Sequence, residues 1–173
     1  MSRRDAEAFA DFVAARSSAL HRAAYLMVGD AQLAQDLVQE ALTKTYVAWP
    51  RLRDPSRVEA YTRKAITTTA IGWFRKKSWG ERTVETMPDG GQAGHADDVD
   101  QRAWLRQALQ ELPVRQRAEI VLRYYEDLTE AQTADAMGCA VGTVKSQVSS
   151  GLRKLRDRLG ADVLPTDLIE VTR

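Results

Sequence analysis

The run Leu128 to Arg158, LTEAQTADAMGCAVGTVKSQVSSGLRKLRDR, constrains the fold more than any other stretch of this 173-residue chain. Thr129-Glu130-Ala131-Gln132 is a capping box, which starts a helix by satisfying its first backbone N–H groups. Gly138 stands where a left-handed C-cap is expected. Beyond it, Val144, Val148, Leu152, Leu155 and Leu159 recur at helical spacing and predict a second helix with one buried stripe. The other side of that helix carries Lys145, Ser146, Gln147, Ser149, Ser150, Arg153, Lys154 and Arg156. Two short helices around a Gly-centred turn, the second ending in positive charge, are the layout of a helix-turn-helix. In that motif the second helix enters the major groove of DNA.

Charge distribution supports a nucleic-acid partner where the total does not. The formal net charge is only +1. Residues 1–77, however, hold 13 Lys/Arg against 8 Asp/Glu, residues 78–102 hold 2 against 6, and residues 103–160 hold 9 against 7. Two basic segments are thus separated by an acidic one. Hydrophobic residues at 44% and charged residues at 28% fit a globular chain. No apolar run approaches the roughly 20 residues that span a bilayer, so no membrane insertion is expected. The start, MSRRDAEAFADF, lacks the apolar core of a signal peptide. A single Cys139 rules out an internal disulfide and fits the cytoplasm. One Cys and two distant His residues, His21 and His95, argue against a zinc site, and no cofactor is expected.

The organisation reads as two helical units and a linker. Residues 78–102 contain Pro88-Asp89-Gly90-Gly91, Gly94 and the acids Asp97, Asp98 and Asp100, a composition that buries too little apolar area to order itself. In the N-terminal unit, residues 1–77, Phe9, Phe12, Val13, Leu20, Ala24 and Tyr25 predict a first helix ending near Gly29. Asp30 is the N-cap of a second, with Leu33, Leu37, Val38, Ala41, Leu42 and Tyr46 as its stripe and Trp49-Pro50 as its stop. Ser56-Arg57-Val58-Glu59 reads as a capping box opening a third helix toward Lys77. In the C-terminal unit, residues 103–160, Trp104, Leu105, Ala108, Leu109 and Leu112 precede Pro113, and Ile120, Val121, Tyr124 and Tyr125 line the next helix. Residues 161–173 read as a tail. No alternating strand pattern occurs, so the fold class is all-α: two small helical domains joined by a flexible linker.

Two stretches are candidate DNA contacts. On the last helix, Lys145, Gln147 and Ser149 near its start suit base edges, while Arg153, Lys154 and Arg156 further along suit phosphates; Thr143, Ser146 and Ser150 are further candidates on the same helix. Gln147 either pairs with adenine or simply fills surface. The stretch from Tyr61 to Lys77 holds five cations, Arg63, Lys64, Arg75, Lys76 and Lys77, and no acid. Aromatic rings beside cations are what unpaired nucleic acid uses, and Trp73 reads equally as a stacking ring or as core. The loop Pro50–Asp54 before it is placed to hold an extruded base.

These residues carry a resemblance. DAQLAQDLVQEALTKTYVAW (30–49) is similar to the most characteristic segment of bacterial sigma factors, and residues 112–156 resemble the DNA-reading C-terminal domain of the same family. With two domains and no third between them, the chain resembles the small extracytoplasmic-function (ECF) branch. The resemblance implies region 2 and region 4 domains, binding to core RNA polymerase and recognition of promoter DNA. It places Asp36, Leu37, Val38, Gln39 and Glu40 toward the clamp helices of the largest polymerase subunit, with the flap as a second polymerase contact. It also implies that Arg63, Lys64, Thr68, Trp73, Arg75, Lys76 and Lys77 handle the minus-ten element, that residues 143–156 read the minus-thirty-five element, and that an anti-sigma factor is a candidate partner. The chain departs from the family pattern at Thr68, often Asn; at Gly72, often an acid; at Gln147, usually basic; and at Ala140, usually a small polar or Pro cap. A helix-turn-helix regulator that works without polymerase predicts an N-terminal ligand or phosphoacceptor domain, and none is apparent. A sigma-like adaptor that no longer reads DNA stays open on the Thr68, Gly72 and Gln147 departures. An enzyme lacks any Gly-rich phosphate loop, nucleophile beside a His, or metal-ligand cluster.

Overall fold

The computed structural model describes residues 3–52, 54–80 and 98–160, and every regular element among them is helical. In the N-terminal half, α1 spans Arg3–Val28, α2 Ala31–Ala48 and α3 Pro55–Gly80, with a single 3-10 turn at Trp49–Arg51. The C-terminal half contains α4 (Asp98–Gln110), α5 (Val114–Ile120), a widened π turn (Val121–Tyr125), α6 (Glu130–Met137) and α7 (Val141–Leu159). Both ends of the expected linker are therefore helical: α3 runs on to Gly80 and α4 opens at Asp98. The remainder of that linker and the expected tail lie outside the described residues.

Local chemistry sets the boundaries. Gly29 takes φ +77, and its N–H donates to the Tyr25 carbonyl at 2.7 Å, closing α1. Asp30 then caps α2, its Oδ1 accepting from the Leu33 N–H at 2.8 Å. The start of α3 differs from the sequence expectation. Asp54 Oδ1 accepts from both the Ser56 N–H (2.9 Å) and the Ser56 hydroxyl (2.8 Å), so the serine donates and does not cap. These two hydrogen bonds also hold the Asp54 carboxyl below its ordinary range.

Small residues let the first three helices approach closely. Ala24, Leu37, Ala41 and Ala70 are fully buried, with Leu20, Met27, Val38 and Ile66 filling the space between them. Two buried threonines stitch α2 to α3. Thr45 and Thr62 each donate to the carbonyl four residues back, or share a proton with one another at 3.0 Å. Neither hydroxyl is thus left dry and unpaired.

The two halves are not separate bodies. Leu105, Leu109, Leu112, Ile120, Leu122 and Leu155 belong to the same buried cluster as Leu20, Met27, Leu37 and Ile66. Gln110 of α4 donates to the Leu26 carbonyl at 3.0 Å. Its side chain lies so near Gly29 that a Cβ there would fall 2.5 Å from Gln110 Cδ, a second reason for glycine at this corner. Arg117 is buried, lies 5.3 Å from the Phe74 ring and donates to Gln110; desolvation lowers its pKa to about 10. Trp104, by contrast, is 43% exposed although its spacing matched the buried stripe.

Candidate nucleic-acid interface

The helix-turn-helix forms as its sequence dictates. Thr129 Oγ1 accepts from the Gln132 N–H at 3.2 Å, and Gln132 Oε1 accepts from the Thr129 N–H at 2.8 Å, completing the capping box. Gly138 caps α6 at φ 63, ψ 42. α7 then begins at Ala140, whose extended backbone suits an N-cap but whose methyl supplies no acceptor.

One side of α7 is buried through Val144, Val148, Gly151, Leu155 and Leu159. Gly151 lies where α7 packs on α5: a Cβ there would come within 2.7 Å of Ile120 Cδ1 and 3.5 Å of Gln116 Cβ. The opposite side presents Thr143, Lys145, Ser146, Ser149, Arg153 and Lys154 as exposed residues, with Gln147 and Ser150 half-buried at its edge. Lys145 pairs with Glu130 at 3.4 Å, an exposed contact of little strength. A residue that sequence reasoning missed backs this surface. Gln116 of α5, 8% exposed, turns its amide into α7: Nε2 lies 2.9 Å from Gln147 Oε1 and 3.5 Å from Ser150 Oγ, and Oε1 lies 3.1 Å from Lys154 Nζ.

The basic stretch of α3 divides in two. Arg63 and Lys64 are turned toward the C-terminal half. Arg63 pairs with Glu59 on its own helix and with Glu126 at 2.5 Å, while Lys64 meets Asp135 at 3.2 Å. Glu59 also holds Arg16 of α1. No local pattern marks Glu126 and Asp135 as counter-charges, because they lie 63 and 71 residues away along the chain. Thr68 is exposed and donates to the Lys64 carbonyl at 2.7 Å. Trp73 packs, partly buried, against the core. Arg75 and Lys76 are exposed, and the Lys77 side chain lies outside the described residues.

On α2, Asp36 and Gln39 are exposed and Glu40 is half-buried, so three of the five expected polymerase contacts reach the surface. Leu37 and Val38, at 0% and 1% exposure, do not. They follow the inward stripe with Ala34 and Ala41 and serve the patch as its foundation. Glu40 pairs with Lys44 at 2.8 Å, and Gln32 donates to Asp36 at 3.3 Å.

An open cavity of about 690 Å³ lies where α1 meets the 3-10 turn, walled by Phe12, Trp49, Pro50, Leu52 and Val58 with Arg4 and Asp5 at its rim. Trp49 is braced edge-on by Phe9, with ring centres 5.2 Å apart. The expected loop, Pro50–Asp54, thus borders an apolar, aromatic-lined hollow. Among the described residues no His/Cys/Asp/Glu group could hold a metal, and no helix is long and apolar enough to cross a membrane.

Comparison with known proteins matches both halves. The family model described as Sigma-70 region 2 covers residues 12–80, and that described as Sigma-70, region 4 covers residues 102–155. The RNA polymerase sigma-E factor of Streptomyces coelicolor is 35% identical over 162 residues, 94% of this chain and 92% of the relative. The RNA polymerase sigma factor SigV of Bacillus subtilis is 31% identical over 143 residues, 80% of this chain and 83% of the relative. In overall fold the chain is similar to the sigma factor RpoE of Bartonella quintana, whose structure was solved in complex with the anti-sigma factor NepR. The TM-score is 0.71 at 24% identity, covering 91% of this chain and 99% of that one.

Proposed function

The chain belongs to the ECF branch of the bacterial RNA polymerase sigma factors, and on that premise we propose which of its surfaces carries each step of initiation. A sigma factor is not an enzyme. This one binds core RNA polymerase, recognises promoter DNA and promotes the start of transcription. It therefore works by binding energy, with no bond made or broken by the chain itself.

The observation that carries the assignment of surfaces is α7: an apolar side locked into the domain and, opposite, an uninterrupted run of hydroxyl, amide and cationic side chains from Thr143 to Lys154. That surface reads the minus-thirty-five element, Lys145, Gln147 and Ser149 toward base edges and Arg153 and Lys154 toward phosphates. Asp36, Gln39 and Glu40 form the polymerase contact on α2, facing the clamp helices; the C-terminal unit takes the flap. Exposed Arg75 and Lys76 near the end of α3, with Thr68, track the minus-ten strand. The Phe12–Trp49 hollow receives a base extruded from it, offsetting an unpairing cost of a few kcal/mol.

Residues 1–77 act as the region 2 unit and residues 103–160 as the region 4 unit, joined through 78–102. Arg63 and Lys64 join the minus-ten surface only when the two units part, since both are paired across the contact between halves. An anti-sigma factor that prefers the closed arrangement would keep them covered. The lone Cys139 and the promoter-directed role support a cytoplasmic site of action. In vitro run-off transcription over a genomic promoter library, with core polymerase and the chain added, tests the reading. Discrete start sites that depend on the chain are expected; unchanged transcription without it would overturn the proposal.

A further inference from the structure

We propose that Gln116, a buried residue of α5 outside the reading helix, is a positioning residue that sets base preference by fixing which end of the Gln147 amide faces DNA. The inference rests on α7 being the minus-thirty-five reader. A lysine ammonium has three donors and no acceptor, so Lys154 can meet only the oxygen of Gln116. That contact is 3.1 Å long. The Gln116 amide is thereby oriented, and its Nε2 is the atom left facing Gln147, at 2.9 Å. Two amide nitrogens facing one another would repel. Gln147 therefore turns its Oε1 inward and its Nε2 outward. Ser150, at 3.5 Å from the same Gln116 nitrogen, accepts weakly and closes the network on one further side.

The arrangement is rigid for physical reasons. Gln116 is 8% exposed, so water does not compete freely for its two polar atoms. Gly151 adds no side chain between α5 and α7 at this point, where a Cβ would meet the Ile120 terminal methyl at 2.7 Å. Polarity thus passes from Lys154 through Gln116 to Gln147.

The consequence is a chemical preference. An unconstrained glutamine pairs with adenine by donating to N7 and accepting from the N6 amino group. Gln147 has its oxygen committed to α5, which leaves the two N–H donors as its outward face. Those donors match the keto bases, guanine through N7 and O6 and thymine through O4, over bases whose groove edge carries an amino donor. We expect this bias at one position of the minus-thirty-five element, by about fivefold or more.

Holoenzyme reconstituted from core polymerase and the full chain, selected on promoters randomised through the minus-thirty-five element, tests it. Gln147→Ala should flatten one position. Gln116→Glu is the diagnostic variant: its carboxylate still takes the Lys154 proton donor but now demands a donor from Gln147 too. Gln147 then presents oxygen, and the same position should switch to adenine or cytosine. Lys154→Met leaves α5 unchanged and releases the Gln116 amide, so the keto bias should relax there while overall affinity falls evenly. A keto preference that survives both Gln116→Glu and Lys154→Met, with Gln147→Ala still flattening the position, would overturn the positioning role alone. If neither Gln147→Ala nor Lys145→Ala altered any position, the assignment of α7 as the reader would fall with it.

Discussion

The guanidinium of Arg63 on α3 and the carboxylate of Glu126, just past the π turn, meet at 2.5 Å with side-chain exposures of 18% and 8%. The pair joins halves of the chain that the sequence separates by 63 residues. Around it, Lys64 meets Asp135, and Arg22 donates to the Tyr125 hydroxyl at 2.9 Å. A charge-assisted contact this far from solvent is worth more than the exposed pairs elsewhere on the surface.

Glu126→Ala should therefore loosen the contact between the halves. The loss is about 1.5–3 kcal/mol, the usual worth of a hydrogen bond to a charged group. Arg63 keeps Glu59 as a partner, so the variant leaves no isolated charge behind. Small-angle scattering should show a larger radius of gyration for the free chain, and affinity for a single-stranded minus-ten oligonucleotide should rise as Arg63 is released. An unchanged radius with unchanged affinity would show that this pair does not hold the halves together.

Glu119 predicts a pH effect of definite sign. It is 1% exposed, its Oε2 has no hydrogen-bond partner, and burial raises its pKa from 4.5 to about 7, with Arg115 opposing weakly. The folded protein holds this proton more tightly than the unfolded chain does. The group's stabilisation is therefore complete below about pH 4.5 and is lost as pH rises through about 7, by about 3 kcal/mol in total. Glu119→Gln should raise the midpoint of thermal unfolding at pH 8 and change it little at pH 4. An equal shift at both values would remove ionisation as the cause.

Helix punctuation was legible in the sequence where one residue performs it with its own atoms. Asp30, Thr129 with Gln132, Gly29 and Gly138 all act at the positions their chemistry predicts. The apolar periodicity of α7 was equally plain, because its buried stripe repeats over about four turns, from Val144 to Leu159. Ser56 misled, since an aspartate two residues earlier is the stronger acceptor and converts the serine to a donor. Leu37 and Val38 were grouped with their polar neighbours by motif, although their spacing places them inside. What no local pattern could reveal was pairing across the halves: Glu126 and Asp135 look like ordinary surface acids until the fold brings Arg63 and Lys64 beside them. Gln116 was hidden for the same reason, its partners lying 31 to 38 residues further on.

Ala140 offers the converse test, a cap that the sequence lacks. Its backbone, φ −75 and ψ 150, already has N-cap geometry, yet no side-chain oxygen reaches the first N–H groups of α7. Ala140→Ser should stabilise the chain by about 1 kcal/mol, measured as a shift in urea midpoint at constant slope. Promoter affinity should hold or rise, as the start of the reading helix frays less. No shift would mean that solvent satisfies these groups as well as a hydroxyl does.

The two proposed surfaces can be separated by paired substitutions. Lys145→Ala with Gln147→Ala removes one exposed cation and one amide from α7; Asp36→Ala with Glu40→Ala removes two acids from α2. The ion pairs lost, Lys145–Glu130 and Lys44–Glu40, are exposed and worth at most about 1 kcal/mol each, so neither double variant should unfold. The α7 variant should bind promoter DNA at least tenfold more weakly, from about 1–3 kcal/mol per base contact, while keeping its affinity for core polymerase. The α2 variant should lose core polymerase and keep the isolated minus-thirty-five contact. Because the surfaces are on different helices and share no side chain, the two effects should be independent, and the quadruple variant should show their sum. Equal loss of both activities in the α7 variant would make that helix structural, and undiminished polymerase binding in the α2 variant would move the polymerase contact elsewhere on the N-terminal unit.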